Sequence, residues 1–216
     1  MKYLLMLEIS ILQMKKQKIN TRGRIELDNK LESEIVDFLK GRLQEKRFKH
    51  SLGVMNMAER LARKYNVDVE EAKIAGLLHD CAKNMSNQEL IEYCQNNGIE
   101  IDDIKMQSPG ILHADVGADI AKKKFNVSDE LKESILYHTL ANETMTDLDK
   151  IIYISDLIEE GRDLEGLDKI REMAFIDLDK ALVMALEYCM ENVKQVGKNI
   201  HKQSIDALNA AKKRCN

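Results

Sequence analysis

The 216-residue sequence contains no tryptophan, a single proline (Pro109) and only 5% aromatic residues. Its four cysteines are scattered along the chain, without CxxC spacing and without the density of a secreted disulfide scaffold. No window approaches the roughly 18 apolar residues that a membrane-spanning helix needs. These absences argue against a disulfide-stabilised secreted protein and against a membrane protein. We therefore expect a cytoplasmic protein that does not contact membranes.

The chain also lacks an excess of positive charge, since its formal net charge is −4 and its pI is about 5.8. A general binder of nucleic acid polymers normally carries a basic surface, so we do not expect such a partner. Hydrophobic residues make up 44% and charged residues 32% of the sequence, a balance that suits amphipathic helices. Because there is almost no proline to interrupt helices, the composition predicts an all-α fold.

The first strong helical signal begins at Asp28, after which apolar residues recur at three- and four-residue steps. Residues 1–27 show only weak periodicity, and we predict that they form a mobile N-terminal extension. Residues 28–216 are enough for one domain, since domains usually contain about 100–200 residues. We therefore predict a single helical domain that follows a short arm.

Local signals predict where several helices begin and end. Ser86 starts a capping-box pattern before a predicted helix at about 87–96, and Thr146 caps a later helix. Between them, Ser108-Pro109-Gly110 predicts a loop. From about Leu167 onward the pattern indicates two or three amphipathic helices. Three apolar side chains of this C-terminal part are expected to belong to the core: Met184, Met190 and Val193.

Four of the five histidines fall on the apolar faces of predicted helices. They are His50 in a helix at about 45–65, His79 in the next helix, His113 in a helix at about 112–125 and His138 in a helix after Ser128. A lone histidine on such a face is more often a hydrogen-bonded core residue than a metal ligand. Four inward-facing histidines together indicate a shared site. The fifth, His201, is expected to be a surface or packing residue.

Asp80 and Asp156 occur in apolar helical segments, where an ionised carboxylate needs a compensating partner. Asp80 directly follows His79, so the two side chains diverge by about 100° around the helix and can both coordinate an ion that lies between them. Mixed imidazole and carboxylate ligands suit iron, manganese, zinc or a similar divalent ion. We therefore predict one metal centre built from His50, His79, Asp80, His113, His138 and Asp156.

The segment His79-Asp-Cys-Ala-Lys83 resembles the doublet of the HD phosphohydrolase superfamily, with His50 before it and Asp156 after it. Further segments are similar to the YqeK family of bacterial symmetrical diadenosine-tetraphosphate hydrolases. They are Arg47-x-x-His50-Ser, Leu112-His-Ala-Asp-Val-Gly117, Tyr137-His-Thr139 and Tyr153-Ile-Ser-Asp-Leu-Ile-Glu159 followed by Arg162. The resemblance covers about residues 30–208 in motif order.

The resemblance implies an HD-domain helical bundle in which metal-bound hydroxide cleaves diadenosine tetraphosphate into two ADP molecules, so that no protein nucleophile is required. Iron is the implied metal, as one ion or as a di-metal centre, and manganese or another divalent ion would suit the same ligands. The implied ligands are His50, His79, Asp80 and Asp156, and the implied catalytic residues are Asp80, His113 and His138. The implied substrate-binding residues are Arg47, Asp80, Cys81, Ala82, Lys83, His113, His138, Thr139, Asp156 and Arg162.

Several alternatives stay open at this point. His113 and His138 either complete a second metal position or face the substrate phosphates. Another HD activity, such as a nucleotidase or a cyclic-nucleotide phosphodiesterase, would keep the ligands and change the pocket lining, and a non-catalytic nucleotide sensor would bind without turnover. Arg47, Lys83 and Arg162 could also be solvated helix-end residues. The sequence leaves both a monomer and a homodimer open.

Overall fold

The computed structural model describes residues 30–215, and this range consists of helices joined by short connections, without a β-strand. The all-α prediction is confirmed for these residues. The mobile extension predicted at residues 1–27 lies outside the described residues. Within the described range, no helix combines the length and the apolar character needed to cross a membrane.

The helices follow one another at short intervals. Helix α1 occupies residues 30–40 of the described range and is followed by α2 (Glu45–Tyr65), α3 (Val69–Leu78), α4 (Asn87–Asn97) and α5 (Asp103–Gln107). A 3-10 helix (Pro109–Leu112) leads into α6 (His113–Phe125), α7 (Asp129–Tyr137) and α8 (Asp147–Ile158). The C-terminal part contains the predicted amphipathic helices, α9 (Leu167–Ala174), α10 (Leu178–Gln195) and α11 (Lys202–Arg214).

Local capping interactions explain most of the helix starts. Ser86 and Thr146 each accept a hydrogen bond from the backbone N–H three residues later, as part of capping boxes that begin α4 and α8. The sequence predicts the box at Ser86, whereas at Thr146 it predicts only a cap. The loop predicted at Ser108-Pro109-Gly110 is wrong in part, because Pro109 begins the 3-10 helix. Helix α5, just before it, has only five residues, too few to show a helical period, and depends on the side-chain cap of Asp102.

Helix α8 lies at the centre of the hydrophobic core, where it packs against α2, α7 and α10. Its largest apolar side chains are completely buried: Ile151, Ile152, Ile154 and Ile158. These residues cover more than one side of the helix, which is typical of a helix enclosed by its neighbours. Helix α8 therefore serves as the fixed element against which the other site helices are oriented.

Helices α2 and α3 approach each other closely at Gly76. A Cβ atom at this position would lie 2.8 Å from Cα and 3.0 Å from N of Met55. Backbone atoms cannot yield to such a contact as a flexible side chain can, so glycine is required for this packing distance. The close approach brings His79 beside His50 of α2, with 5.3 Å between the ring centroids.

We predict that Gly76→Ala lowers the free energy of unfolding by about 1–3 kcal/mol, because the added methyl group must push α3 away from the backbone of α2. Urea unfolding followed by circular dichroism measures the change. Gly41→Ala is the matched control, since a Cβ atom there would make an ordinary contact at 3.6 Å. The control should change the unfolding free energy by at most about 0.5 kcal/mol, and equal effects of the two substitutions would contradict the steric argument.

Candidate metal centre

All six predicted ligand side chains meet between five helices. His50 lies on α2, His79 and Asp80 at the end of α3, His113 at the start of α6, His138 at the end of α7 and Asp156 on α8. Four of them are at most 4% exposed: His79, Asp80, His113 and His138. The apolar faces that carry these residues all pack inward, and the polar side chains therefore converge in the interior.

The Asp80 carboxylate lies between two groups of histidines. Its Oδ2 atom faces Nε2 of His79 at 3.4 Å and Nε2 of His50 at 3.8 Å. Its Oδ1 atom faces Nε2 of His113 at 3.1 Å and Nε2 of His138 at 3.7 Å. Each group has a spacing suited to a metal ion, and Asp80 belongs to both. The cluster thus offers two adjacent positions that share one carboxylate.

Asp156 adds a second carboxylate to the group that contains His50. Its Oδ1 atom lies 2.9 Å from Nε2 of His50 and 3.7 Å from Nε2 of His79. Arg162 donates a hydrogen bond from Nη2 to the same oxygen at 2.8 Å. The side chain of Asp156 is 24% exposed and that of Asp80 is 3% exposed, so Asp156 lies on the more open side of the cluster.

Hydrogen bonds on the outer side of each ring orient the histidines. Three of them place Nδ1 within hydrogen-bond distance of the carbonyl oxygen three residues earlier: His79 to Gly76 (2.7 Å), His113 to Gly110 (2.5 Å) and His138 to Ile135 (2.6 Å). His50 instead places Nδ1 3.2 Å from Oε1 of Glu159. When Nδ1 donates, the neutral ring keeps a lone pair on Nε2, and in all four residues Nε2 faces the cluster. The sequence pattern located Glu159 near Asp156 but indicated no role for it.

When each imidazole carries its proton on Nδ1, several buried atoms of the cluster face other acceptors and have no hydrogen-bond partner: His50 Nε2, His79 Nε2 and Asp80 Oδ1. Buried polar atoms are normally paired, so this concentration of unpaired acceptors points to a cation. Nε2 of His113 and Nε2 of His138 lie only 3.0 Å apart. Two nitrogen ligands that bind one ion at about 2.1 Å are separated by a similar distance. The donor set therefore fits divalent metal ions.

The protonation states of the cluster are also suited to metal binding. Burial alone would raise the pKa of Asp80, but the surrounding histidines, His79 first, hold this pKa well below its usual range. Burial of Asp156 is likewise outweighed, chiefly by its contact with His50, and its pKa is lowered. Burial lowers the pKa of His113, which favours the neutral ring. Ionised carboxylates and neutral imidazoles are the forms that bind metal ions.

Basic and hydroxyl side chains border the cluster, and their predicted contact with substrate phosphates stays a prediction. Their contacts are Arg47 Nη1 to Asp80 Oδ2 (2.6 Å), Lys83 Nζ to His113 Nε2 (3.1 Å) and Thr139 Oγ1 to His138 Nε2 (3.2 Å), in addition to the Arg162 contact. The side chains of Arg47, Lys83 and Arg162 are 32%, 36% and 32% exposed. They therefore lie between the buried ligands and solvent, where an anionic group could reach them.

Cys81 and Ala82 are buried, with 1% and 0% exposure. The Cys81 thiol donates a hydrogen bond to the carbonyl oxygen of Gly117 at 3.7 Å, and burial raises its pKa to about 12. The thiol is therefore protonated and packed against α6. Substrate binding by Cys81 and Ala82 stays a prediction, since neither residue lines the cavity beside the cluster.

This cavity has a volume of about 580 Å³, and Lys83, His113 and Thr139 contribute to its wall. The remaining wall includes apolar side chains from α8, α10 and the segment before α11: Tyr153, Met190, Val193 and Ile200. The prediction that Met190 and Val193 belong to the core is wrong, because both are partly exposed to the cavity, whereas Met184 does pack against the core. Helical periodicity identifies an inward face and does not distinguish a packed core from a cavity wall.

Residues 47–161 match the family model of the HD domain. This range contains all six residues of the cluster. The chain belongs to the HD domain family. HD domains are metal-dependent, which agrees with the unpaired acceptors of the cluster.

Two bacterial relatives are both named "Bis(5'-nucleosyl)-tetraphosphatase, symmetrical". The Bacillus subtilis protein is 35% identical over 153 residues, which covers 70% of this chain and 82% of the relative. The Staphylococcus aureus protein is 33% identical over 173 residues, which covers 79% and 89%. A crystal structure from Clostridium acetobutylicum, titled a predicted HD superfamily hydrolase involved in NAD metabolism, is 42% identical, has a TM-score of 0.82 and covers 84% of this chain and 97% of that chain. The family resemblance seen in the motifs is confirmed.

We predict that Asp80→Asn lowers the affinity for divalent ions by more than tenfold. The neutral amide cannot offer an anionic oxygen to each of the two metal positions. Calorimetric titration of the metal-free protein with Mn²⁺ measures the affinity and the number of ions bound. Asp163→Asn, which changes an exposed carboxylate after α8, is the control and should bind as the wild type does. Wild-type affinity and stoichiometry in Asp80→Asn would rule out a shared carboxylate.

Proposed function

We propose that this protein is a metal-dependent hydrolase that cleaves diadenosine tetraphosphate symmetrically into two ADP molecules. The observation that carries the proposal is the shared Asp80 carboxylate between two histidine groups, bordered by cations suited to polyphosphate. The names of the Bacillus and Staphylococcus relatives support the same substrate class and the same position of cleavage.

The proposed ligands divide into two sets that share one residue. His50, His79, Asp80 and Asp156 would hold one ion, and Asp80, His113 and His138 would hold a second. When bound, divalent ions would lower the pKa of a water molecule and would polarise the phosphoryl group. We propose iron as the metal, while the same imidazole and carboxylate ligands also suit manganese.

The chain's own cations would bind and orient the tetraphosphate. The guanidinium groups of Arg47 and Arg162 are anchored by Asp80 and Asp156 and keep further N–H groups for phosphate oxygens. Lys83 adds a third positive charge beside His113. Positive groups that are held in place before the substrate binds need not reorganise to stabilise the negative charge that develops in the transition state. These three cations therefore favour attack within the phosphate chain.

The cavity beside the cluster would take one nucleoside of the substrate. Its volume of about 580 Å³ lies within the range of about 300–1,000 Å³ that is usual for small-molecule sites. The apolar wall near Met190 and Val193 suits the adenine ring, and polar groups such as Asn199 and Ser204 suit the ribose. Symmetrical cleavage breaks the bond between the second and third phosphates. A nucleoside in the cavity would therefore have its first two phosphates at the cluster.

The decisive experiment identifies the products made from diadenosine tetraphosphate by anaerobically purified, iron-loaded protein. We expect ADP as the sole nucleotide product by anion-exchange chromatography. The products ATP plus AMP, or no turnover despite binding, would overturn the proposal, the second result in favour of a nucleotide sensor. NAD, AMP and cyclic AMP belong in the same panel, because faster turnover of one of them would favour another HD activity.

Substitution of a bordering cation tests the proposed phosphate contacts. We predict that Lys83→Ala lowers kcat/KM for diadenosine tetraphosphate by about 10²–10³-fold, because one preorganised positive charge is lost. Lys49→Ala is the matched control, since Lys49 is exposed and pairs with Glu45 on the same helix. The control should keep wild-type kinetics. Wild-type kinetics for Lys83→Ala would contradict a contact between Lys83 and the substrate phosphates.

A further inference from the structure

Glu159 carries a buried carboxylate at the end of α8, with 5% of its surface exposed. Its Oε2 atom accepts a hydrogen bond from the backbone N–H of Gly161 at 2.6 Å, and its Oε1 atom faces Nδ1 of His50 at 3.2 Å. Among the described residues, neither a lysine nor an arginine pairs with this carboxylate. Burial of an anion is costly, so a specific interaction must account for its presence. The contact with His50 is the interaction that the structure provides.

The location of His50 explains why it needs a side-chain partner. His79 and His138 follow the last residues of α3 and α7, and His113 follows the 3-10 helix that contains its acceptor, Gly110. Carbonyl groups near helix ends lack some of their intrahelical partners and are free to accept a ring N–H. His50 is the sixth residue of α2, where the neighbouring carbonyls already accept backbone hydrogen bonds. Its acceptor must therefore come from another element, and Glu159 supplies it.

The surrounding chain is shaped to hold this carboxylate. A Cβ atom at Gly53, three residues after His50, would lie only 2.3 Å from Oε2 of Glu159. Glycine at this position therefore leaves the space that the carboxylate occupies beside the imidazole ring. Arg171 donates hydrogen bonds to the carbonyl oxygens of Ile158 at 2.9 Å and Glu159 at 3.3 Å. These contacts fix the end of α8 and hence the direction of the side chain.

We propose that Glu159 is a positioning residue of the metal centre, which accepts the Nδ1–H of His50 and keeps Nε2 unprotonated and directed at Asp80 and Asp156. The inference rests on the proposed metal-dependent function. Glu159 acts through His50, because it contacts Nδ1, whereas the carboxylates of the cluster face Nε2. A carboxylate acceptor fixes the tautomer and also makes the imidazole a stronger ligand than a neutral acceptor would.

The first test measures the tautomer of His50 in metal-free protein by ¹⁵N-edited NMR at pH 8. We expect a proton on Nδ1 of His50 in the wild type, because Glu159 accepts it at 3.2 Å. In Glu159→Ala, the His50 resonances should move toward the Nε2–H tautomer, because the acceptor is gone while Asp156 still lies 2.9 Å from Nε2. His79, whose Nδ1 faces the Gly76 carbonyl, is the internal reference and should not change. This readout does not depend on enzyme activity.

The second test measures the affinity for Mn²⁺ by calorimetry. We expect Glu159→Ala to weaken binding by about 10–100-fold, and Glu159→Gln to cause a smaller loss, because its amide oxygen can still accept the ring N–H. Glu160→Gln is the matched control, since Glu160 is exposed and pairs with Arg60, and it should bind as the wild type does. Gly53→Ala should weaken binding as well, because its methyl group displaces the Glu159 carboxylate.

The outcomes separate this inference from the proposed function. A folded Glu159→Ala protein with the wild-type His50 tautomer and wild-type Mn²⁺ affinity would overturn the positioning role. If the alanine variant does not fold, Gly53→Ala decides, because its methyl group displaces the Glu159 carboxylate, and an unchanged His50 tautomer together with unchanged affinity would overturn the role equally. A wild-type protein that binds no divalent ion would contradict the proposed function, while the tautomer measurement would still decide the role of Glu159.

Discussion

Asp80 places an ionised carboxylate inside a helical bundle, with 2% of its surface exposed. Such a group is costly unless positive charge, hydrogen bonds or a metal ion compensate it. Arg47 donates to one of its oxygens, and imidazole rings from four different helices approach both of them. The helices that carry these partners must keep fixed positions relative to Asp80. The close packing of α3 on α2 at Gly76 follows from the same requirement.

The orientation of the histidines follows from this arrangement. Each ring has its Nδ1 atom beside an acceptor of the surrounding protein and directs Nε2 toward the carboxylates. Helix ends provide main-chain acceptors for three rings, and the end of α8 provides a side-chain acceptor for His50. Without a cation, several buried acceptors stay unpaired. We therefore expect metal binding to stabilise the fold as well as to supply its chemistry.

The chain has a net charge of −4, yet its proposed substrate is a polyphosphate. The two requirements are compatible because the positive charge is concentrated at one place. Arg47, Lys83 and Arg162 border the cluster, and divalent ions would add further positive charge beneath them. A local field of this kind attracts an anion regardless of the net charge of the protein. The adjoining cavity then contributes selectivity for what is attached to the phosphates.

The sequence by itself determined the helix class, most helix starts and the candidate ligands. Capping at Ser86 depends on residues three positions apart, and an aspartate such as Asp80 in an apolar segment signals a buried partner wherever the helices lie. Only the tertiary structure decided that Asp80 lies between two histidine groups, that Glu159 stands behind His50 and that Val193 borders a cavity. Helical periodicity specifies which face of a helix turns inward. It sets no distance between helices, and these three arrangements depend on such distances.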